Sequence, residues 1–79
     1  MTSKYSNKYK NIGLLIKYYR KLKGLTQDEL ANKAGISKSY LSKIEAQNCE
    51  KPFSLEVLFE ISDALDVPIT YLLDSDKNI

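Results

Sequence analysis

The polar residues best suited to chemistry lie in positions 25–45 of this 79-residue chain. That segment reads LTQDELANKAGISKSYLSKIE. Its hydroxyl, amide and lysine side chains are hydrogen-bond donors, and the lysines carry positive charge. Donors and cations of this kind suit the binding of an anionic partner, since phosphate oxygens only accept hydrogen bonds.

Catalysis and metal binding have little support in the rest of the chain. The sequence has no histidine and a single cysteine, Cys49, so the usual zinc ligands and a histidine-based catalytic pair are missing. We find no paired acid and base and no phosphate-binding glycine loop, and the chain is short for a pocket. We therefore expect no enzyme, no metal and no cofactor, and we interpret Cys49 as an inert, exposed thiol.

The net charge of +2 conceals a gradient along the chain. Residues 1–25 contain seven basic residues and no acidic one, whereas residues 52–79 contain six acidic residues and one lysine. This asymmetry indicates that the front of the molecule meets an anionic partner. A solvated charged surface without any partner is the alternative interpretation of the same pattern.

Length and hydropathy favour one small cytoplasmic domain. The chain is shorter than the roughly 100–200 residues of a typical domain, and no stretch approaches the roughly 18 apolar residues of a membrane span. The polar, lysine-rich start of the chain fits neither a secretory signal nor a membrane anchor. We expect a flexible basic arm in residues 1–10, one helical domain in residues 11–73 and a polar tail in residues 74–79.

Apolar residues recur at steps of three and four, and no alternating strand pattern occurs, which predicts an all-α fold of five helices. The first helix is expected over residues 11–23 and the fourth from residue 54 to about residue 66. Residues 46–53 are predicted to form a loop. The apolar face of the first helix is predicted to comprise Ile12, Leu15, Ile16, Tyr19 and Leu22, and that of the fourth Leu55, Leu58, Ile61 and Leu65.

Short polar signals mark where the helices begin and end. Gly24 is expected to stop the first helix in the left-handed conformation. Thr26 followed by Glu29 has the spacing of a capping box. The remaining starts are predicted at Ser37, Ser54 and Pro68.

The second and third helices are separated by three residues built around Gly35, which is the helix-turn-helix arrangement. Ala31 is small where the two helices cross, and Ile36 fills the space under the turn. In such a unit the second helix can enter the DNA major groove while the first crosses the backbone. Spacing alone leaves open that the two helices serve only packing.

Several short motifs together resemble one known family, the Cro/C1-type (Xre-family) helix-turn-helix of phage repressors and bacterial regulators. They are Thr26-Gln27, Glu29-Leu30-Ala31, Ala34-Gly35-Ile36-Ser37, Tyr40-Leu41-Ser42, Ile44-Glu45, Pro52, Ser54-Leu55 and Leu58. The resemblance covers about residues 12–73, and residues 34–42 are especially similar to the DNA-binding domain of SinR-type regulators of bacilli. It implies a five-helix lambda-repressor-like domain that binds double-stranded DNA, with residues 37–46 as the recognition helix. Gln47 departs from the glycine that is frequent in the family at this place.

The resemblance also implies roles for individual residues. Those implied to contact bases are Lys38, Ser39, Ser42 and Lys43, whose types suit the edges of bases in the major groove. Those implied to contact the DNA backbone are Thr26, Gln27, Ser37, Tyr40, Gln47, Asn48 and Lys51. Gln27 is additionally expected to support the recognition helix, and its alternative is an ordinary polar residue at a helix N-terminus. For the four residues implied to contact bases, the alternative is a solvated helix face.

A module of this size buries too little surface for tight operator binding, so a homodimer on a near-palindromic operator is expected. The family precedent places the dimer interface on the fifth helix, at Ile69, Tyr71 and Leu72. We therefore interpret the protein as a sequence-specific transcriptional regulator and expect it to be a repressor. The alternative is an antitoxin or anti-repressor module whose main role is binding a partner protein through its acidic second half.

Overall fold

The computed structural model describes residues 5–46 and 53–74, and those two segments form five α-helices without a strand. The helices are α1 (Ser6–Leu22), α2 (Gln27–Ala34), α3 (Lys38–Glu45), α4 (Leu55–Leu65) and α5 (Ile69–Leu73). This confirms the predicted all-α, five-helix fold. Within the same segments no helix has the length and apolar character needed to cross a membrane.

Helix α1 begins at Ser6, five residues before the start predicted from periodicity, so residues 6–10 are helical rather than part of an arm. The reason is a tertiary contact. The half-buried ring of Tyr9 meets the ring of Phe53 edge to face, with 5.2 Å between ring centroids. Phe53 is itself buried beside the start of α4. A ring from far along the chain therefore packs against the first turns of α1.

Local signals fix the other helix ends as the sequence predicts. The hydroxyl of Thr26 accepts a hydrogen bond from the backbone N–H of Glu29, and the Glu29 carboxylate accepts one from the N–H of Thr26. The hydroxyls of Ser37 and Ser54 cap α3 and α4 by accepting from the backbone N–H of Tyr40 and of Val57. Gly35 ends α2 at a φ of 73°, in the left-handed region that glycine adopts without a Cβ clash.

The core lies where the five helices meet: α2 packs mainly on α4, α3 packs on α1 and α2, and α5 closes over α1 and α4. Its fully buried large side chains are Leu15, Ile16, Leu30, Leu41, Ile44, Ile61, Leu65 and Leu72. Burying one such side chain stabilises the fold by about 1.5–3 kcal/mol. The core therefore holds α2 and α3 at a fixed angle to each other.

Two leucines predicted to be buried are exposed. Leu22 is 65% exposed because it follows the exposed Leu14 and Tyr18 at steps of four and so lies on their side of α1, at its last residue. Leu55 is 57% exposed because the buried side of α4 is centred on Ile61 and Leu65, which places the first turn's leucine at the edge. Both predictions of core positions were wrong for geometric reasons that periodicity alone does not resolve.

Candidate nucleic-acid interface

The bend between α2 and α3 is built from backbone hydrogen bonds and small residues. After the left-handed Gly35, the N–H of Ile36 donates to the carbonyl of Ala31 at 3.0 Å. Ile36 packs against the core under the turn, and Ala31 is buried at the crossing of the two helices. The predicted helix-turn-helix is therefore present, with each small residue where its size is needed.

Helix α3 turns one continuous side toward solvent. Lys38, Ser39 and Lys43 are exposed, and Ser42 between them is half-buried. At about 100° per residue these four positions fall on a single face of the helix. The opposite side carries Leu41 and Ile44 into the core. The structure thus brings the four residues implied to contact bases onto one surface.

The N-cap residues of α2 and α3, Thr26 and Ser37, carry hydroxyl groups. Thr26 and Ser37 are exposed, and each hydroxyl already accepts one backbone hydrogen bond as a helix cap. A hydroxyl that accepts in this way keeps its own hydrogen to donate to an anion. The helix N-termini add partial positive charge. Tyr40 is half-buried, and its side chain packs against the core.

A buried ion pair fixes the far end of α3. Arg20 Nε donates to Glu45 Oε2 at 2.7 Å, and Arg20 Nη2 donates to Glu45 Oε1 at 3.0 Å, a bidentate arrangement. Gln27 Nε2 donates a third hydrogen bond to Glu45 Oε1 at 3.0 Å. Arg20 also donates from Nη1 to the carbonyl of Leu25 at 2.8 Å. One carboxylate therefore ties α3 to both α1 and the start of α2.

This cluster, Arg20, Gln27 and Glu45, changes two expectations drawn from the sequence. Arg20 is one of the seven basic residues of the first 25 whose charge predicts an anionic partner, but it is 8% exposed and pairs with Glu45 instead. Glu45 enters the sequence analysis only as a motif residue without an assigned contact, but it is 3% exposed and accepts three hydrogen bonds from Arg20 and Gln27. Arg20 follows Ile16 by four residues, so its place on the buried stripe of α1 was the available signal.

Gln27 has the supporting role that the resemblance implies, since its side chain holds the carboxylate at the end of α3. Its phosphate contact stays a prediction. Three further residues implied to contact the backbone, Gln47, Asn48 and Lys51, lie outside the described residues, as does Cys49.

Helix α5 presents a different set of residues from the one expected for a dimer interface. Leu72 is fully buried, because α5 packs on α1 and α4 through it, so its assignment to an interface was wrong. Tyr71 is 45% exposed and stacks on Tyr19 with 5.6 Å between ring centroids. Ile69 is half-buried against the core, and Leu73 is 46% exposed.

Comparison with known proteins identifies relatives with the same arrangement. Residues 16–72 match the Helix-turn-helix (HTH_3) family. The chain is 51% identical over 63 residues to the HTH-type transcriptional regulator SinR of Bacillus subtilis, a match that covers 80% of this chain and 56% of that regulator. The chain thus spans little more than half the length of this relative.

Two solved structures of SinR share the fold. A crystal structure of SinR, the master regulator for biofilm formation, in complex with DNA superposes with a TM-score of 0.73 at 51% identity, covering 80% of this chain and 98% of that one. A complex of SinR with the SinI protein gives the same TM-score and identity, and covers 80% of this chain and 60% of the SinR chain. On its sequence, its five helices and its helix-turn-helix, the chain belongs to the Helix-turn-helix (HTH_3) family, of the Xre or Cro/C1 type.

Proposed function

We propose that this domain binds double-stranded DNA in a sequence-specific way and acts in a transcriptional regulator. The observation that carries the proposal is the exposed side of α3, where Lys38, Ser39 and Lys43 lie on a helix that Glu45 anchors from inside the fold. A recognition helix must be held rigidly if its side chains are to distinguish bases, because a good bidentate contact depends on geometry. The DNA complex of the related SinR supports the same function.

In this proposal the contacts divide into two classes. Lys38, Ser39, Ser42 and Lys43 read base edges in the major groove, and lysine suits guanine O6 and N7. Thr26, Gln27, Ser37 and Tyr40 bind phosphate and set the register of the domain without reading sequence. Gln47, Asn48 and Lys51 complete the second class.

We further propose that two copies bind a near-palindromic operator, with half-sites about 34 Å apart. One domain of this size buries too little surface for operator affinity on its own. The exposed ring of Tyr71 on α5, next to the half-buried Ile69, supplies the contact between copies. In the regulator, occupancy of the operator blocks a promoter and thereby represses transcription.

The experiment is a selection of random-sequence duplexes on the purified chain, repeated at about 50 mM and about 200 mM salt because phosphate contacts are salt-dependent. We expect one near-palindromic motif that survives the higher salt. Binding that is blind to sequence and vanishes at the higher salt would contradict the proposal. In a reporter that carries the motif in its promoter, expression falls when the chain is supplied.

A matched pair of variants locates the contact surface. Lys43→Ala removes a charge from the exposed side of α3, and Lys33→Ala removes the same charge from the exposed last turn of α2. We expect Lys43→Ala to change the selected motif and Lys33→Ala to leave it unchanged. If both variants selected the same DNA motif, α3 would not be the helix that contacts bases.

The homodimer has its own test. On a duplex with one half-site, Tyr71→Ala binds as the unsubstituted chain does, which also shows that the variant is folded. On the full operator it loses affinity, because the contact between copies is weakened. Unchanged affinity on both duplexes would contradict the role of α5.

Recognition of a partner protein is a second candidate function, and the complex of the related SinR with SinI favours it. The acidic residues of the second half of the chain are the surface that a basic protein would meet. Sequence-blind DNA binding in the selection above would make this candidate the primary one.

A further inference from the structure

Helix α1 has an exposed apolar stripe that the proposed DNA surface does not use. Leu14, Tyr18 and Leu22 are 38%, 42% and 65% exposed. They recur every four residues and so lie above one another on the helix. Three exposed lysines run along one edge of this stripe, Lys10, Lys17 and Lys21. We call these six residues the basic face of α1.

Helix α4 has a similar exposed face of opposite charge. Leu55 and Phe59 are 57% and 48% exposed, again four residues apart. Exposed acids run along one edge of the pair, namely Glu56, Glu60 and Asp63. We call these five residues the acidic face of α4. The two faces share one design, an apolar stripe with a charged border, and differ in the sign of the charge.

We propose that the basic face of α1 of one molecule binds the acidic face of α4 of a second copy of this chain. The occupant is a second copy because the chain carries both halves of a complementary pair. Apolar contact between the stripes removes large exposed side chains from water, and the lysines pair with the carboxylates at the border.

The two faces cannot meet within one molecule. The opposite side of α1 carries Leu15 and Ile16 into the core, and the opposite side of α4 carries Ile61 and Leu65 there. Each face therefore points away from the centre of its own molecule. A contact between two different surfaces of identical chains leaves one surface of each kind open on a pair of molecules, so further copies add until a ring closes or the row ends.

The order of charge and apolar residues also sets the direction of the two helices. Viewed from the N-terminus, a right-handed helix advances clockwise. At about 100° per residue, the lysines of α1 lie on the anticlockwise side of its apolar stripe in this view. The acids of α4 lie on the clockwise side of theirs. Charge then meets charge and stripe meets stripe only when the two helices run parallel.

The faces are small compared with a standard interface of roughly 800 Å² per partner, so the association in free solution is weak. Copies placed side by side on DNA have a high effective concentration, at which a weak contact becomes occupied. That consequence rests on the proposed function. The contact itself does not, and it is therefore tested without DNA.

The test follows backbone amide chemical shifts as the protein concentration is raised to about 1 mM at low salt. We expect shifts to move in α1 and α4. Two charge-reversed variants are compared, Lys17→Glu/Lys21→Glu and Glu56→Lys/Glu60→Lys. Each alone carries two faces of like charge, so its association falls about tenfold or more. A mixture of the two variants regains association, because each supplies the charge that the other lacks.

The mixing result separates this contact from a symmetric dimer through α5. Shifts confined to α5, or a mixture that associates no better than its components, would overturn the proposal. So would unchanged shifts in the unsubstituted chain up to the same concentration. All substituted positions are exposed, and thermal melts verify that the variants fold.

The apolar part has a matched control. Phe59→Ser and Leu73→Ser each remove an apolar side chain of similar exposure, 48% and 46%. We expect Phe59→Ser to weaken the association and Leu73→Ser to leave it unchanged. Equal effects would overturn the assignment to α4.

The direction of the helices is tested by crosslinking in a Cys49→Ser background. Leu14→Cys mixed with Leu55→Cys joins the two N-terminal ends of the faces, and we expect it to crosslink faster than Leu14→Cys mixed with Asp63→Cys. The reverse order would overturn the parallel arrangement.

Discussion

The two ends of helix α3 carry polar side chains of opposite character. At its C-terminal end Glu45 is 3% exposed and accepts three hydrogen bonds from Arg20 and Gln27. Toward its N-terminal end Lys38 and Ser39 point to solvent. A carboxylate enclosed in this way cannot be reached by a ligand, whereas the exposed side chains can. On one short helix, the buried residue thus orients α3, and the exposed residues are the ones that a ligand can contact.

This difference also separates two energetic roles. A buried ion pair gains little net stability over an apolar pair of the same volume, because both charges lose their water. Losing one partner is costly, because the other charge stays buried alone. The cluster of Arg20, Gln27 and Glu45 therefore matters mainly for the one geometry in which its hydrogen bonds are made.

The largest effect is expected from Glu45→Ala. The substitution leaves the Arg20 guanidinium buried without its carboxylate, which destabilises the fold by about 3–5 kcal/mol. Urea denaturation followed by circular dichroism measures this loss. A change below about 1 kcal/mol would mean that water reaches Arg20 and that the cluster does not constrain α3.

The double variant Arg20→Met/Glu45→Met is the control for that prediction. It removes both charges together, so we expect it to recover much of the stability that Glu45→Ala loses. Its DNA affinity tests the orienting role separately. Because Gln27 then has no carboxylate to hold, we expect weaker binding from a folded domain.

The next effect concerns the exposed side of α3 and is seen in DNA binding. Ser39→Ala and Lys43→Ala are each expected to reduce discrimination at one operator position by about 1–3 kcal/mol. Their unfolding free energies should stay within about 0.5 kcal/mol of the unsubstituted chain, since both side chains are exposed. Titrations against operators altered one base pair at a time measure the first quantity. An equal loss on every sequence would reassign these residues to the phosphate class.

For Gln27→Ala we expect a loss of stability smaller than that of Glu45→Ala and larger than that of the substitutions on the exposed side of α3. It removes one hydrogen bond to the Glu45 carboxylate, which costs about 1–2 kcal/mol of stability, while Arg20 still holds the group. Its DNA affinity should fall on all sequences together, because the residue reads no base. A loss restricted to one operator position would contradict this division of roles.

The smallest effect is expected at the helix caps, and it provides an internal control. Ser37→Ala and Ser54→Ala each delete one capping hydrogen bond, of 3.0 Å at α3 and 3.2 Å at α4. Each is expected to cost about 1 kcal/mol of stability. If Ser37 also binds phosphate, Ser37→Ala loses additional DNA affinity and Ser54→Ala does not. Identical affinities would leave Ser37 with a capping role alone.

The sequence by itself determined the features that depend on neighbouring residues. The capping box at Thr26 and Glu29, the left-handed Gly24 and the cap at Ser37 all occur as predicted. Such features are set by hydrogen bonds and backbone sterics within a few residues, so they can be recognised without knowing the fold. The five helices were predicted from the apolar periodicity, and the outward positions of α3 from the family resemblance.

Only the tertiary structure decided which side of each helix is covered, and how far. The contact of Tyr9 with Phe53 extends α1 toward the N-terminus, to Ser6. The packing of α5 buries Leu72 within one molecule. The tertiary structure also turned Arg20 from a surface charge into the partner of Glu45, 25 residues away. Contacts between distant segments depend on the angles at which helices cross. Periodicity reports the faces of a helix, but the angle decides which neighbour each face meets.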